Sequence, residues 1–231
     1  MARGTTEESN GTRYPARLEG GALMREGAKA SLSNLNAVLK AERELLPANI
    51  MLAVGGLAGV AAQMAVREVL VESGKKTEEE AFQVHVTPDG RRWFAGAQIL
   101  TPIVEGKLSL WRMALHTAVN LGATRHPDLS TIPPRLNERF SAPDFGVAPV
   151  PAEHRPTIRM LPFLKANWAR FDRQARRYIS EPIELPVFFG FMAQEGLTLT
   201  KPDLPPEIGL RIVMESALAW SRLDPAGLAA S

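Results

Sequence analysis

The 231-residue chain has no cysteine and only four histidines, His85, His116, His126 and His154. Without cysteine there is no disulfide framework, no thiol nucleophile and no Cys-based zinc or iron-sulfur site, which fits a reducing compartment. The histidines form no H-E-x-x-H, H-x-H or H-x-x-x-H pair, so no metal site is expected, and His116 reads as a packing residue at the edge of a helical face. The G-x-S-x-G elbow of serine hydrolases is missing as well. From Met1 to Glu26 there is no apolar h-region, so neither a secretory signal nor an anchor is expected, and the cytoplasm is the expected compartment. Nor is there a marked excess of charge of either sign, the formal net charge being only +2. That charge is unevenly spread: from Arg155 to Arg177 seven Arg or Lys stand against the single acid Asp172.

What is abundant is apolar surface. A hydrophobic content of 45% in a chain of this length supports a sizeable core without covalent staples. One run dominates: Ile50 to Val66 holds three glycines, Gly55, Gly56 and Gly59, and one polar side chain, Gln63. Three readings compete for it. As a phosphate loop it lacks the Lys-Ser/Thr pair, since Val60, Ala61 and Ala62 follow Gly59, and its glycines miss the G-x-G-x-x-G spacing. As a membrane span it is short of the ~20 apolar residues needed, and Arg67 and Glu68 follow at once, so no stable membrane insertion is expected. The third reading is a helix enclosed on all sides. At 100° per residue Leu52, Gly55, Gly56, Gly59, Gln63 and Val66 share a stripe, while Val54, Leu57, Ala61 and Met64 point the opposite way. Interior glycines cost about 1 kcal/mol each relative to alanine, so a close neighbour or a ligand must offset them. A buried Gln63 needs partners for its amide.

Around this helix the pattern predicts a predominantly helical α+β fold: a central buried Gly-containing helix packed by N- and C-terminal helices, with one β-hairpin. Residues 1–27 read as a flexible tail and 28–231 as one globular domain. Leu32, Leu35, Leu39 and Leu46 predict a helix over about 31–46. Phe82, Val84 and Val86 alternate with polar residues before Thr87-Pro88-Asp89-Gly90, which predicts a hairpin over about 82–95. Two strands alone are marginal, so one face must pack on helices or the edge must find another strand. A helix over about 107–121 is expected to bury Leu108, Trp111, Leu115, Ala118 and Val119 and to stop at Gly122. A Pro-rich crossover follows at about 123–160, with room for a short helix near 133–140, and connections of this length are usually lids, wraps or linkers. Leu164, Trp168, Phe171, Ala175 and Tyr178 mark a helix over about 161–179. Val187 to Glu195 reads as a short apolar helix, and Pro205-Pro206 opens a last one running to about Trp220.

Two sets of residues stand out as candidate binding positions. Gly59-x-x-Ala-Gln63 and Gly190-x-x-Ala-Gln194 share a spacing that puts Gln four residues after Gly, and the expectation is that the two glycine faces cross with Gln63 meeting Gln194. The binding set is then Gly55, Gly56, Gly59, Gln63 and Gln194. On the 161–179 helix, Arg170, Arg173 and Arg177 lie opposite the aromatic stripe and form a possible anion-binding face, although such faces are usually solvated and nucleic acid is not the favoured partner. His126-Pro127-Asp128 is the tripeptide found in J-domain co-chaperones, but the basic partner helix and compact spacing of that family are missing, and the match is read as chance. Catalytic residues cannot be named, because loop residues such as Asp128, Asp144, His154 and Arg155 carry no motif. The first expectation is a soluble intracellular binding or assembly module that self-associates as a homo-oligomer. The alternative is a small-molecule-binding protein or enzyme, with a pocket between the Gly55–Gly59 and Gly190–Gln194 helices beneath the Pro-rich segment. The residues name no cofactor.

Overall fold

The structure, a computed structural model, describes residues 14–87, 90–140, 142 and 144–228, with side chains from residue 21 onward. Helices α1 (Tyr14–Ala41) and α2 (Pro47–Val66) come first, then the short α3 (Glu78–Ala81) and the hairpin of β1 (Gln83–Val86) and β2 (Arg92–Ala95). Helices α4 (Ala97–Leu100), α5 (Leu110–Asn120), α6 (Ile132–Asn137), α7 (Met160–Ala175), α8 (Leu185–Thr200) and α9 (Pro206–Trp220) complete the chain. Helix with one two-stranded antiparallel hairpin is the α+β class expected.

All of α2 except Pro47 and Met64 is buried. The Pro47–Glu72 stretch is the one described helix long and apolar enough to cross a membrane, and 94% of that window lies inside the protein. Its glycine stripe explains how it packs. A Cβ on Gly55 would overlap the Val213 carbonyl and one on Gly59 the Ala217 carbonyl, so the α9 backbone rides directly on the stripe. Ser216 Oγ donates to the Leu52 carbonyl across the same contact at 2.7 Å. A second face of α2 takes α8, where Gly196 meets Met51, and α1 and α5 flank α8.

Several boundaries differ from expectation. The helix predicted over 31–46 runs from Tyr14 to Ala41, so residues 14–27 are helical, and residues 1–13 of the expected tail lie outside the described residues. Met24 and Ala28 are buried and Gly27 lies against the Tyr178 ring, which gives this polar-looking stretch an apolar seat. Arg43, at φ 60, turns the chain, and Pro47 opens α2. Helix α8 extends to Thr200, well beyond Glu195. On α5 the buried stripe is Leu110, Met113, Ala114 and Ala118, the last as expected, while Leu108, just before the helix, and Val119 are 63% and 54% exposed. The helix is thus rotated from the expected face, because Met113 seats against Gly190 of α8.

The hairpin pairs Gln83 with Ala95, Val84 with Phe94, His85 with Trp93 and Val86 with Arg92. Gly90 closes the turn at φ +80, donating to the Thr87 carbonyl at 2.8 Å; Pro88 and Asp89 lie outside the described residues. The edge of β2 is met by the same chain: Phe94 N donates to the Arg222 carbonyl at 2.8 Å, and Trp93 forms an isolated bridge to Leu223. One hairpin face carries Phe94, with the Arg67 and Arg92 guanidinium groups 4.3 and 5.0 Å from its ring centroid. Glu78 accepts from both arginines and so ties the end of α2 to β2. The acid run Glu78-Glu79-Glu80 forms the capped turn of α3, with Thr77 and Glu80 making a capping box. The other face carries His85 and Trp93, both stacked near Phe140 of the Pro-rich crossover. That crossover is pinned at its far end, where buried Asn49 accepts from Thr157 N at 2.7 Å.

Candidate functional site

The crossover lays Phe140 and Phe145 between β2 and the end of α9, where they join Trp93 and Trp220 in one aromatic cluster. Trp93 contacts Phe140 at 5.2 Å and Phe145 at 4.8 Å, and Phe145 contacts Trp220 edge-on at 5.5 Å. Such edge-to-face pairs add about 0.5–1.5 kcal/mol each beyond the area they bury. Gly146 permits this packing: its φ is +76, and a Cβ there would stand 2.7 Å from Trp220 Nε1. Beside the cluster opens a cleft of about 400 Å³, lined by its four rings and by Arg91, Arg155 and Arg159. A buried indole N–H normally finds an acceptor. Here Trp93 and Trp220 are 3% and 5% exposed, and neither Nε1 has a partner among the described residues.

Asp144 organises the rim. Arg139 Nη2 donates to both its carboxylate oxygens at 2.6 Å, and Arg155 lies 3.9 Å away. A smaller recess of about 210 Å³ shares Asp144, Phe145, Val147 and Arg155 with the cleft and ends at Arg135 and Glu215. Glu215, only 2% exposed, pairs with Arg135. Burial pushes the Glu215 carboxyl above the usual range, and Arg135 opposes that rise without cancelling it.

The positions expected from the sequence are distributed differently. Gly55 and Gly59 face α9, and Gly56 faces the Met160 side chain and Ser216. Gln194 Nε2 donates to the Met113 carbonyl on α5 at 3.1 Å. Gln63 is fully buried with both amide atoms unpartnered, so the expected meeting of Gln63 with Gln194 is not made. Two glycine faces do not cross because each already has another neighbour: α9 lies on one and Met113 on the other. Arg170 and Arg173 are exposed on α7 and Arg177 is exposed just beyond its end, while the nearby acids Asp172 and Glu68 are taken by Arg176. Asp128 caps the turn at Leu129–Thr131 by accepting from Ser130 N, a structural use for the tripeptide acid. His126 stacks edge-on against Trp111 at 5.8 Å, and His116 approaches Asn120. Among the described residues no three His, Asp or Glu side chains gather as a metal site.

Of the residues that line the cleft, sequence reading picked out Asp144 and Arg155, as two of several unplaced loop residues. Trp93, Phe140, Phe145 and Trp220 come from a strand, a loop and a helix end, so no spacing joins them. The one available signal was a Trp in a strand, opposite a Pro-rich segment that carries two Phe. No known protein family, curated protein or solved structure matches the chain.

Proposed function

We propose that this protein binds a small, flat organic ligand carrying hydrogen-bond acceptors, in the aromatic cleft beneath the Pro-rich crossover. The observation that carries the reading is the cleft itself, walled by Trp93, Phe140, Phe145 and Trp220 and edged by Arg91, Arg155 and Arg159, with two indole N–H groups, Trp93 Nε1 and Trp220 Nε1, buried and unpartnered within those walls. Aromatic walls with a few placed polar groups are the usual composition of a small-molecule site, and about 400 Å³ falls within the usual range of such pockets. The pocket differs from the one expected between the two glycine helices, but its cover is the same Pro-rich segment. A thermal-shift screen of nucleotides, acyl carriers and common metabolites tests it. A ligand at a hundred times its Kd stabilises by about 2.7 kcal/mol. The ligand should quench tryptophan emission and lose affinity in Trp93→Phe, which keeps the ring stack and deletes one donor. A hit unaffected by Trp93→Phe and Trp220→Phe would place the site elsewhere.

A second reading, self-association, is supported by the rotation of α5. Val119 is exposed and Trp111 and Leu115 half-buried along the outer side of that helix, and Leu108, just before it, is exposed too. An apolar stripe of this kind on a helix suits an isologous contact with a second copy. Light scattering across a concentration series tests it, and a constant monomeric mass counts against it.

A further inference from the structure

A third cavity, of about 350 Å³, lies on the other side of the hairpin from Phe94. Its floor is apolar and buried, formed by Ile99 and Leu218 with Ser221 beside them. Gln83 and His85 of β1 and Asn137 of α6, all exposed, line it where it meets solvent. Between floor and mouth sits Arg222, 7% exposed.

Arg222 is a buried cation without a counter-ion. Its Nη1 donates to Asn137 Oδ1, a neutral acceptor, and its guanidinium lies 5.7 Å from the Phe140 ring centroid. It forms no ion pair among the described residues, and burial, with no opposing acid, pushes its pKa below the ordinary arginine value. The half-buried Arg67 and Arg135 each have a carboxylate, Glu78 and Glu215, whereas the half-buried Arg211 reaches the Pro149 carbonyl. Arginine stays charged in proteins, so a desolvated guanidinium carries its full cost unless an anion meets it. The amide oxygen, the ring face and the C-terminal end of α9 each offer partial negative charge, and none offers a whole one. The backbone at this point cannot move the side chain away, because the Arg222 carbonyl accepts from Phe94 N and holds the residue in the sheet edge.

We propose that the cavity lined by Arg222, Ser221, Asn137, Gln83 and His85 binds a small ligand through an oxyanion, a carboxylate or phosphate group, that serves as the counter-ion of Arg222. The planar fork of guanidinium donors matches either group, and the apolar floor takes the rest of the molecule. The site is separate from the aromatic cleft and stands without it.

The test uses the full chain in a buffer free of both anion types, titrated with inorganic phosphate or with acetate against sodium chloride of matched ionic strength. At least one of the two should raise the Tm saturably beyond chloride, and which one does so distinguishes phosphate from carboxylate ligands. Arg222→Met should abolish the effect while leaving the unliganded protein as stable as the wild type or more so. Arg222→Lys keeps the charge but loses the fork, and should bind about tenfold more weakly. Should Arg222→Met not fold, the wild type still decides: the anion must shift one slowly exchanging arginine Nε–H resonance in a ¹⁵N spectrum. No stabilisation beyond chloride by either anion, an undiminished response in Arg222→Met, or an unmoved arginine resonance overturns the proposal.

Discussion

Replacing Gly59 by alanine tests whether the glycine stripe of α2 exists to admit the backbone of α9. In an isolated helix the change is favourable by about 1 kcal/mol, since glycine is the weaker helix former. Here the new methyl would overlap the Ala217 carbonyl and stand 2.8 Å from Ser221 N. Neither atom can rotate aside, because both belong to the α9 backbone, so the helices must separate by several tenths of an ångström. A gap of about 0.5–1 Å forfeits a quarter to a half of the dispersion energy of the atoms it parts. This contact is the most extensive between any two helices of the protein. Overpacking against rigid neighbours costs up to about 3 kcal/mol, which leaves a net loss of about 2 kcal/mol after the helix-propensity gain. For a protein of this size that lowers Tm by roughly 4–8 °C. Gly56→Ala is the internal control: its methyl meets the Cε end of Met160, a flexible side chain that can move. It should stay within about 1 kcal/mol of wild type. Urea and thermal melts followed by circular dichroism measure both. If Gly59→Ala proves as stable as Gly56→Ala, the stripe is not set by the approach of α9.

Three further changes have definite expected outcomes. Gln63→Met removes two unpartnered amide atoms from a fully buried position at similar volume, and should stabilise the protein by about 1–3 kcal/mol in denaturant melts; a loss would reveal a partner for that amide. Glu78→Gln deprives Arg67, whose side chain is 12% exposed, of its carboxylate and should cost about 1.5–3 kcal/mol at neutral pH. Burial acts to raise the Glu78 pKa, but hydrogen bonds from Arg67 and Arg92 outweigh it and hold the group below its ordinary 4.5. The unfolded chain therefore takes up the proton first, so this stability is complete above the ordinary carboxylate range and is lost as pH falls through the lower folded value. Melts of wild type and Glu78→Gln should accordingly converge as pH falls below the ordinary carboxylate range, and a constant gap would refute the linkage. Gly146→Ala combines a positive φ with overlap on Trp220, and should cost about 2 kcal/mol or more and alter tryptophan emission; unchanged emission would show that the crossover does not rest on that ring.

Regular periodicity made most of the fold legible. The hairpin declared itself through Val84 and Val86 alternating with polar residues before a Gly-bearing turn, and α7 through the stripe of Leu164, Trp168, Phe171 and Ala175, all buried. Where two periodicities coexist, the sequence alone does not choose between them. The sequence around α5 carries one stripe through Leu108, Trp111, Leu115, Ala118 and Val119 and another through Leu110, Met113, Ala114 and Ala118; a neighbour's glycine, Gly190, selected the second. The start of α1 was obscured by Arg, Glu and Gly among the few apolar residues that seat it. The aromatic cleft and the Arg222 cavity were out of reach for a different reason. Each is assembled from single residues of unremarkable type, separated by long stretches of chain, and an arginine looks the same in sequence whether or not an acid meets it.

The closure of the hairpin by Arg222 and Leu223 bears on the order in which the protein can be made. Both β2's outer edge and the α2 glycine stripe wait for α9 and the residues just after it, and the hydrogen bond from Ser216 to Leu52 spans 164 positions of chain. Until those residues have been made, a nascent molecule holds an uncapped strand edge and an apolar helix with one side bare, the kind of surface that chaperones engage. Contacts of such long range also slow folding, because the intervening chain must be ordered before they form. Folding thus has to wait for residues 206–223, and truncations that remove them should fail as a whole instead of losing a single element.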